Sequence, residues 1–216
     1  MFYDLFPTRV YKTKIDPSLY NKQEIVEDCV WNYNLNPNRN SWDRDSVLHH
    51  TYGDWNNPMF KKIDTTKLSP LYQSAIDDYF SKISFSITPK YRWTLTNICV
   101  NTEFMAAHEH FYRTSSSHCM FSCTHYIKFD KTVHPSTTFV SPLKHASIGD
   151  NLKCANTLLS STDTANSSYY DRWNIPTEED DFVIFPSHLE HLVSRRIKTD
   201  KTRIVSVVNI EVDYAK

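Results

Sequence analysis

Residues 91–101 read YRWTLTNICVN, and four further runs of similar amino-acid composition follow them in the C-terminal half of the chain. Each run is short, rich in β-branched and aromatic residues and bounded by turn-forming residues, which is the pattern of β-strands. The other runs are CMFSCTHYIKF at 119–129, STTFV at 136–140, DFVIF at 181–185 and TRIVSVVNIEV at 202–212. Short strands at moderate spacing, without alternating helices, predict a sandwich or a jelly roll.

The first ninety residues are rich in turns and contain one clear helical pattern. Ser69 and Pro70 suit the cap and the first residue of a helix, and LYQSAIDDYFSKI follows at 71–83. Apolar residues at helical spacing predict one buried stripe. The members of this stripe are Leu71, Ala75, Tyr79 and Ile83.

The length of 216 residues suits one domain with a buried core. The sequence has no internal repeat that would divide it. We therefore expect a single domain over 1–216, mostly β with flanking helices. Its core, over 91–216, should be a double-stranded β-helix (a cupin-like jelly roll) that carries the site, and residues 1–90 should wrap it.

Composition excludes several classes of function. The two glycines, Gly53 and Gly149, cannot build a GxxxxGK[ST] phosphate loop or a GxGxxG dinucleotide turn. A net charge of −1 gives no basic surface for nucleic acid, so a nucleic-acid partner is unsupported. The usual ATP and NAD chemistries are therefore not expected.

Location can be predicted from the termini and the cysteines. The amino terminus lacks a basic region followed by an apolar run, so we expect no signal peptide. No stretch approaches the ~20 apolar residues of a membrane span, which predicts no membrane partner. Five cysteines form an odd set without a secretory signal, which favours reduced thiols. These features predict a cytoplasmic protein.

Two histidine motifs predict a metal site. In MAAHEHFYR at 105–113, His108 and His110 are two residues apart, so on an extended strand they project from one face and Glu109 from the other. A third ligand must come from a distant strand. In FPSHLEH at 185–191 a strand leads to His188 and His191, and we take His191 as that ligand. Such a triad leaves open coordination positions on the metal.

These residues carry a resemblance to a known family. The run from His108 to Ile210 resembles the iron(II)- and 2-oxoglutarate-dependent oxygenases of the prolyl-4-hydroxylase-like branch, most closely the small oxygenases encoded by tailed phages. It is carried by His108-x-His110, SCTHYIKF, DFVIFPSHLEH and TRIVSVVNIEV with Arg203. The resemblance extends weakly upstream, through residues 5–15 and 50–60.

The resemblance implies a reaction and a set of binding residues. Iron(II) would be held by His108, His110 and His191, and Arg203 with Tyr126 would bind the far carboxylate of 2-oxoglutarate, the small-molecule co-substrate. With O2, such an enzyme would hydroxylate an aliphatic C–H bond, of a peptidyl or amino-acid substrate by analogy with prolyl hydroxylases. The primary substrate itself, whether peptide, protein or small molecule, stays open.

The motif departs from the family at one ligand. Relatives usually have Asp or Glu where this chain has His110. A carboxylate could still come from Glu109, but only if a β-bulge reversed the local register. The ligand at this position is therefore His110, with Glu109 as the alternative.

Three other interpretations remain open. A cupin-like metal enzyme could use the same three histidines without 2-oxoglutarate and without Arg203. A non-enzymatic jelly roll, such as a virion component, could have kept the fold and lost the metal. A zinc site could instead form in HCMFSCTH at 118–125, although its C-x3-C spacing lies in a strand-like run rather than in a turn.

Overall fold

The computed structural model describes residues 8–35, 47–50, 58–85, 89–113, 117–142 and 171–213. Residues 51–57 of the upstream stretch at 50–60 lie outside these ranges. Within them the chain forms two α-helices, a short 3-10 helix and nine β-strands. In chain order these are β1 Tyr11–Lys14, the 3-10 helix Pro17–Leu19, α1 Lys22–Leu35, β2 Val47–His50, α2 Ser69–Ser81, β3 Tyr91–His108, β4 Ser117–Lys128, β5 Thr137–Val140, β6 Arg172–Asn174, β7 Asp181–Pro186, β8 His191–Val193 and β9 Ile204–Asp213.

The strands form an antiparallel sheet in the order β1-β7-β4-β9-β3-β8-β5-β6, with β2 also paired to β3. The long strand β3 takes part in two ladders. Its first part, residues 91–100, pairs with β9, and its later part pairs with β8. The sheet therefore curls on itself as a jelly roll, and the predicted fold class, mostly β with flanking helices, is confirmed.

Strand β7 illustrates why the central strands are so apolar. Phe182 and Ile184 belong to a cluster that packs against the two helices, whereas Val183 and Phe185 belong to a second cluster on the opposite face. Successive side chains of a strand point to opposite faces, so a strand covered on both sides needs apolar residues at every position. The helices thus cover one face of the sheet, and the other face lines its interior.

Helix α2 matches the predicted helix with two differences. Ser69 is already the first helical residue, after Leu68 at the cap position, so the predicted serine cap is wrong. Ser69 instead donates its hydroxyl to the Thr65 carbonyl at 2.9 Å. Of the predicted stripe, Leu71 is only partly buried and Ile83 lies beyond the helix, because the buried face is centred one position further along. The buried residues are Tyr72, Ala75, Ile76, Tyr79 and Phe80.

Helix α1 was not predicted from the sequence. Its buried residues are only Ile25, Cys29 and Asn32, so it lacks the apolar stripe that marks an amphipathic helix. Asn32 is fully buried and holds the backbone of Lys61, donating to its carbonyl and accepting from its N–H, both at 2.8 Å. Neither helix in the described ranges is long and apolar enough to cross a membrane.

Candidate metal centre

His108 and His191 meet across the β3–β8 ladder, where they are paired in register. His110 follows the end of β3, and the Ser187 carbonyl accepts its backbone N–H at 2.9 Å. The ring centroids of His108 and His191 are 4.3 Å apart, and that of His110 lies 5.1 Å from each. The three histidines named from the sequence are thus brought together.

One ring nitrogen of each histidine lies within 4.8 Å of those of the other two. In the described part of the chain no other group of three or more His, Cys, Asp or Glu side chains is arranged to hold a metal ion. Glu109 and His188 are both exposed and stand outside the cluster. In the zinc alternative, Cys119 and Cys123 are buried without such a group, and His125 is engaged by the Tyr72 hydroxyl at 2.9 Å.

In His108 and His191, a hydrogen bond at Nδ1, the ring nitrogen that faces away from the cluster, selects the tautomer. The Nδ1 atoms of His108 and His191 lie 2.9 Å from the carbonyl oxygens of Ala106 and Leu189. A carbonyl only accepts, so each Nδ1 carries the proton and each Nε2 presents its lone pair. The Nε2 atoms of His108 and His110 lie 3.1 Å apart, close enough for one metal ion to bind both. This donor set fits a divalent metal ion.

Burial keeps two of the three histidines neutral. It lowers the pKa of His191 to about 3, with a smaller contribution from His108. Burial likewise lowers the pKa of His110 to about 4, again with His108 adding to the effect. A histidine must be neutral to bind a metal, so both rings are ready as ligands at pH 7 without losing a proton.

Asn209 on β9 orients His110, and sequence reasoning did not single it out. Its Oδ1 accepts from His110 Nδ1 at 3.2 Å and from the Ser122 hydroxyl at 3.1 Å. Ser122 in turn contacts the Ser187 hydroxyl at 3.0 Å. An asparagine inside the apolar run TRIVSVVNIEV is unusual for a strand, and that is the signal that could have identified it.

Replacing Asn209 with leucine should weaken metal binding about 10–100-fold, because residues that orient a histidine ligand typically contribute that much. Asn209→Asp keeps an acceptor for the Nδ1 proton and should retain binding. Titration of each folded variant with iron(II) under anaerobic conditions measures the effect. Wild-type affinity in Asn209→Leu would show that His110 needs no such support.

Arg203 is among the largest fully buried side chains of the described residues and lies just before β9, 2% exposed. Within the described ranges it makes no ion pair, and its Nε has no hydrogen-bond partner. The rings of Tyr126 and Phe129 lie 6.0 and 5.9 Å from the guanidinium carbon. A buried charge destabilises a protein unless it is paired, so this guanidinium suits an anionic ligand.

Tyr126 borders Arg203 but uses its hydroxyl elsewhere. The hydroxyl lies 2.7 Å from the Thr137 Oγ1 and accepts the Thr137 backbone N–H at 3.1 Å. The tyrosine is 1% exposed and packs in the cluster with Phe129 and Phe139. Its ring therefore forms part of the wall behind the guanidinium.

One cavity joins the histidines to Arg203. Its volume is about 40 Å³, where one water molecule takes roughly 10–15 Å³ by the same measure. Apolar side chains supply much of the lining, among them Met105, Phe185 and Val207. Thr102 and Thr124 also line it, and neither hydroxyl has a partner in the described structure. Sequence reasoning missed both threonines, because single threonines in strands carry no distinguishing pattern.

No protein-family model matches this chain, and no curated protein matches it. Solved structures match its fold at low identity. A prolyl hydroxylase from Trichoplax adhaerens, in complex with a hypoxia inducible factor peptide fragment, has a TM-score of 0.54 and 10% identity over 93% of this chain and 82% of that one.

Two enzymes of nogalamycin biosynthesis have a similar fold. A non-heme α-ketoglutarate-dependent carbocyclase gives a TM-score of 0.56 and 11% identity, covering 95% of this chain and 80% of that one. A non-heme α-ketoglutarate-dependent epimerase gives a TM-score of 0.50 and 13% identity, covering 95% of this chain and 78% of that one. At such identities the likeness concerns the fold alone: the chain has the jelly-roll fold found in 2-oxoglutarate-dependent oxygenases.

Proposed function

We propose that this protein is an iron(II)- and 2-oxoglutarate-dependent dioxygenase that hydroxylates an aliphatic C–H bond. The observation that carries the proposal is a single cavity lined both by three convergent histidines and by the buried, unpaired guanidinium of Arg203. A metal site alone would not need the guanidinium. The fold, shared with enzymes of this chemistry, supports the same conclusion.

His108, His110 and His191 would hold the iron. Imidazole suits Fe, Ni, Cu and Zn, and the Nδ1 hydrogen bonds already aim the Nε2 atoms inward. When bound, iron(II) supplies oxygen activation, and 2-oxoglutarate supplies two electrons through its oxidative decarboxylation to succinate and carbon dioxide. The chain's own part is to hold these groups in place and to keep water out.

Arg203 would bind the far carboxylate of 2-oxoglutarate. A guanidinium matches a planar carboxylate through two parallel hydrogen bonds, and its burial strengthens the attraction. Tyr126 is proposed as a second co-substrate residue because its ring borders the guanidinium. Apolar residues between the two ends, including Val205 and Val207, would exclude water from the bound co-substrate.

The substrate class is proposed by analogy of fold. One structural neighbour was solved with a peptide, which supports a peptidyl or amino-acid side chain as the group hydroxylated. We also propose a cytoplasmic location, where reducing conditions keep thiols reduced. The similarity to phage-encoded oxygenases remains a resemblance of sequence motifs.

A second candidate is a cupin-like three-histidine enzyme that does not use 2-oxoglutarate. The observation that favours it is the neutral ligand set itself, since Glu109 is exposed and brings no carboxylate to the cluster. Arg203 separates the two candidates, because the second has no use for a guanidinium beside the metal cavity.

Anaerobic addition of iron(II) and then 2-oxoglutarate tests the proposal. We expect a weak visible charge-transfer band that appears only when both are present, because it requires the co-substrate bound to the metal. Iron binding without such a band would favour the cupin-like candidate. Failure to bind iron would contradict the proposal, and failure to bind any of the metals that imidazole suits would contradict both candidates and favour a non-enzymatic jelly roll.

A further inference from the structure

Thr102 on β3 is fully buried, yet its hydroxyl has no hydrogen-bond partner among the described residues. The side chain lines the cavity that also contains the three histidines and Arg203. Buried hydroxyls in proteins are nearly always paired, and leaving one unpaired is destabilising. A buried donor that faces a cavity is placed to donate to whatever occupies that cavity, whether water or a ligand.

The backbone places Thr102 next to Arg203. The N–H of Asn101 donates to the Arg203 carbonyl at 2.8 Å, and the N–H of Arg203 donates to the Asn101 Oδ1 at 3.0 Å. These two bonds fasten the end of the β3–β9 ladder at the residue adjacent to Thr102. The guanidinium has an unpaired Nε of its own. Two unsatisfied donors thus come from neighbouring backbone positions, one on β3 and one just before β9.

A local irregularity turns the Thr102 side chain into the cavity. Cys99 lines the cavity, and strict alternation along β3 would bring residue 101 to the same face and turn Thr102 away from it. Asn101 instead adopts a φ of 49°, in the left-handed region that asparagine tolerates better than most residues. An interruption of this kind re-aims the side chain that follows, and Thr102 lines the cavity in consequence.

We propose that Thr102 binds the anionic co-substrate by donating its hydroxyl hydrogen to the carboxylate that Arg203 holds, an inference that rests on the proposed function. The hydroxyl completes the carboxylate's hydrogen bonding without adding a second buried charge. Arg203 fixes the charge of the ligand, and Thr102 fixes the position of one carboxylate oxygen.

Thr124, the other unpaired threonine of the cavity, occupies a different place. It pairs in register with Val207 on β9, four residues beyond Arg203. That separation corresponds to roughly 13 Å along a strand, at ~3.3 Å per residue. By this register Thr124 lies farther from the Arg203 backbone than Thr102 does, and the two threonines can be distinguished by substitution.

Calorimetric titration of 2-oxoglutarate into the iron-loaded protein under anaerobic conditions tests the inference. Thr102→Val, which removes the hydroxyl and keeps the shape, should weaken binding about tenfold to a hundredfold, the range for a hydrogen bond to a charged group. Thr102→Ser should recover most of the affinity, and iron binding should not change. Thr138→Val is the matched control, since Thr138 is buried on β5 outside the cavity lining.

The outcomes separate the inference from the function on which it rests. Wild-type affinity in Thr102→Val, with affinity lost in Thr124→Val, would overturn the inference and leave a co-substrate site in place. Absence of 2-oxoglutarate binding in the iron-loaded wild type would overturn the proposed function itself. If Thr102→Val does not fold, Thr102→Ala removes the same hydroxyl without a new methyl group, and unchanged affinity there would equally overturn the inference.

Discussion

His108→Ala should weaken iron(II) binding by more than about a hundredfold, while the fold survives. Loss of a residue that merely orients a ligand costs 10–100-fold in metal affinity, so loss of a ligand should exceed that range. His108 is only partly buried at the end of β3, so its removal leaves the core packing almost unchanged. His191→Ala should have the same effect on iron, because the two rings face each other across paired strands.

Bound iron is measured after anaerobic reconstitution and desalting, with circular dichroism as the check on folding. His188→Ala is the matched control: His188 is exposed and lies three residues before His191, and its replacement should leave iron content unchanged. Wild-type iron content in folded His108→Ala and His191→Ala would show that the triad is not the metal site.

Arg203→Ala should raise the dissociation constant for 2-oxoglutarate at least a hundredfold and leave iron affinity almost intact. Removing one partner of a buried charge pair typically costs about 3–5 kcal/mol, and each 1.4 kcal/mol is a factor of ten in affinity. Arg203→Lys should recover part of the loss, since lysine keeps the charge without the two-pronged geometry.

Titration of 2-oxoglutarate into each iron-loaded variant measures this effect. Arg195→Ala is the control, because Arg195 is an exposed arginine nearer to His191 in sequence whose guanidinium packs over the Phe104 ring. Unchanged affinity in Arg203→Ala together with a loss in Arg195→Ala would show that the co-substrate does not bind at the start of β9.

The elements that follow a simple period could be predicted from the sequence. The apolar run at 181–185 became β7, because a continuous run of this kind is typical of a strand covered on both faces. The two histidines of MAAHEHFYR entered one cluster as predicted, although β3 ends at His108 and His110 lies beyond it. Helix α1 could not be predicted in this way. Its buried face consists of three residues, one of them the polar Asn32, whose role depends on the backbone of Lys61 far along the chain.

The rest of the site depends on the register between paired strands and on local breaks in strand alternation, and neither can be read from a single sequence. The spacing between His108 and His191 allows a contact, but only the β3–β8 pairing makes it. Thr102 faces the cavity because Asn101 interrupts the alternation of β3. Asparagine is uncommon within strands, so Asn101 and Asn209 mark positions where something other than strand packing selects the residue. The sequence alone does not indicate that one interrupts β3 and the other contacts His110.

Anomalous diffraction at the iron edge, from crystals soaked anaerobically with iron(II) and 2-oxoglutarate, tests the central claim most directly. We expect one iron peak roughly 2.0–2.2 Å from the Nε2 atoms of His108, His110 and His191, at the usual distance for a metal–imidazole bond. Density for 2-oxoglutarate should reach from the iron to the Arg203 guanidinium. An iron peak away from the three histidines, or one bound by Glu109 in place of His110, would contradict the account.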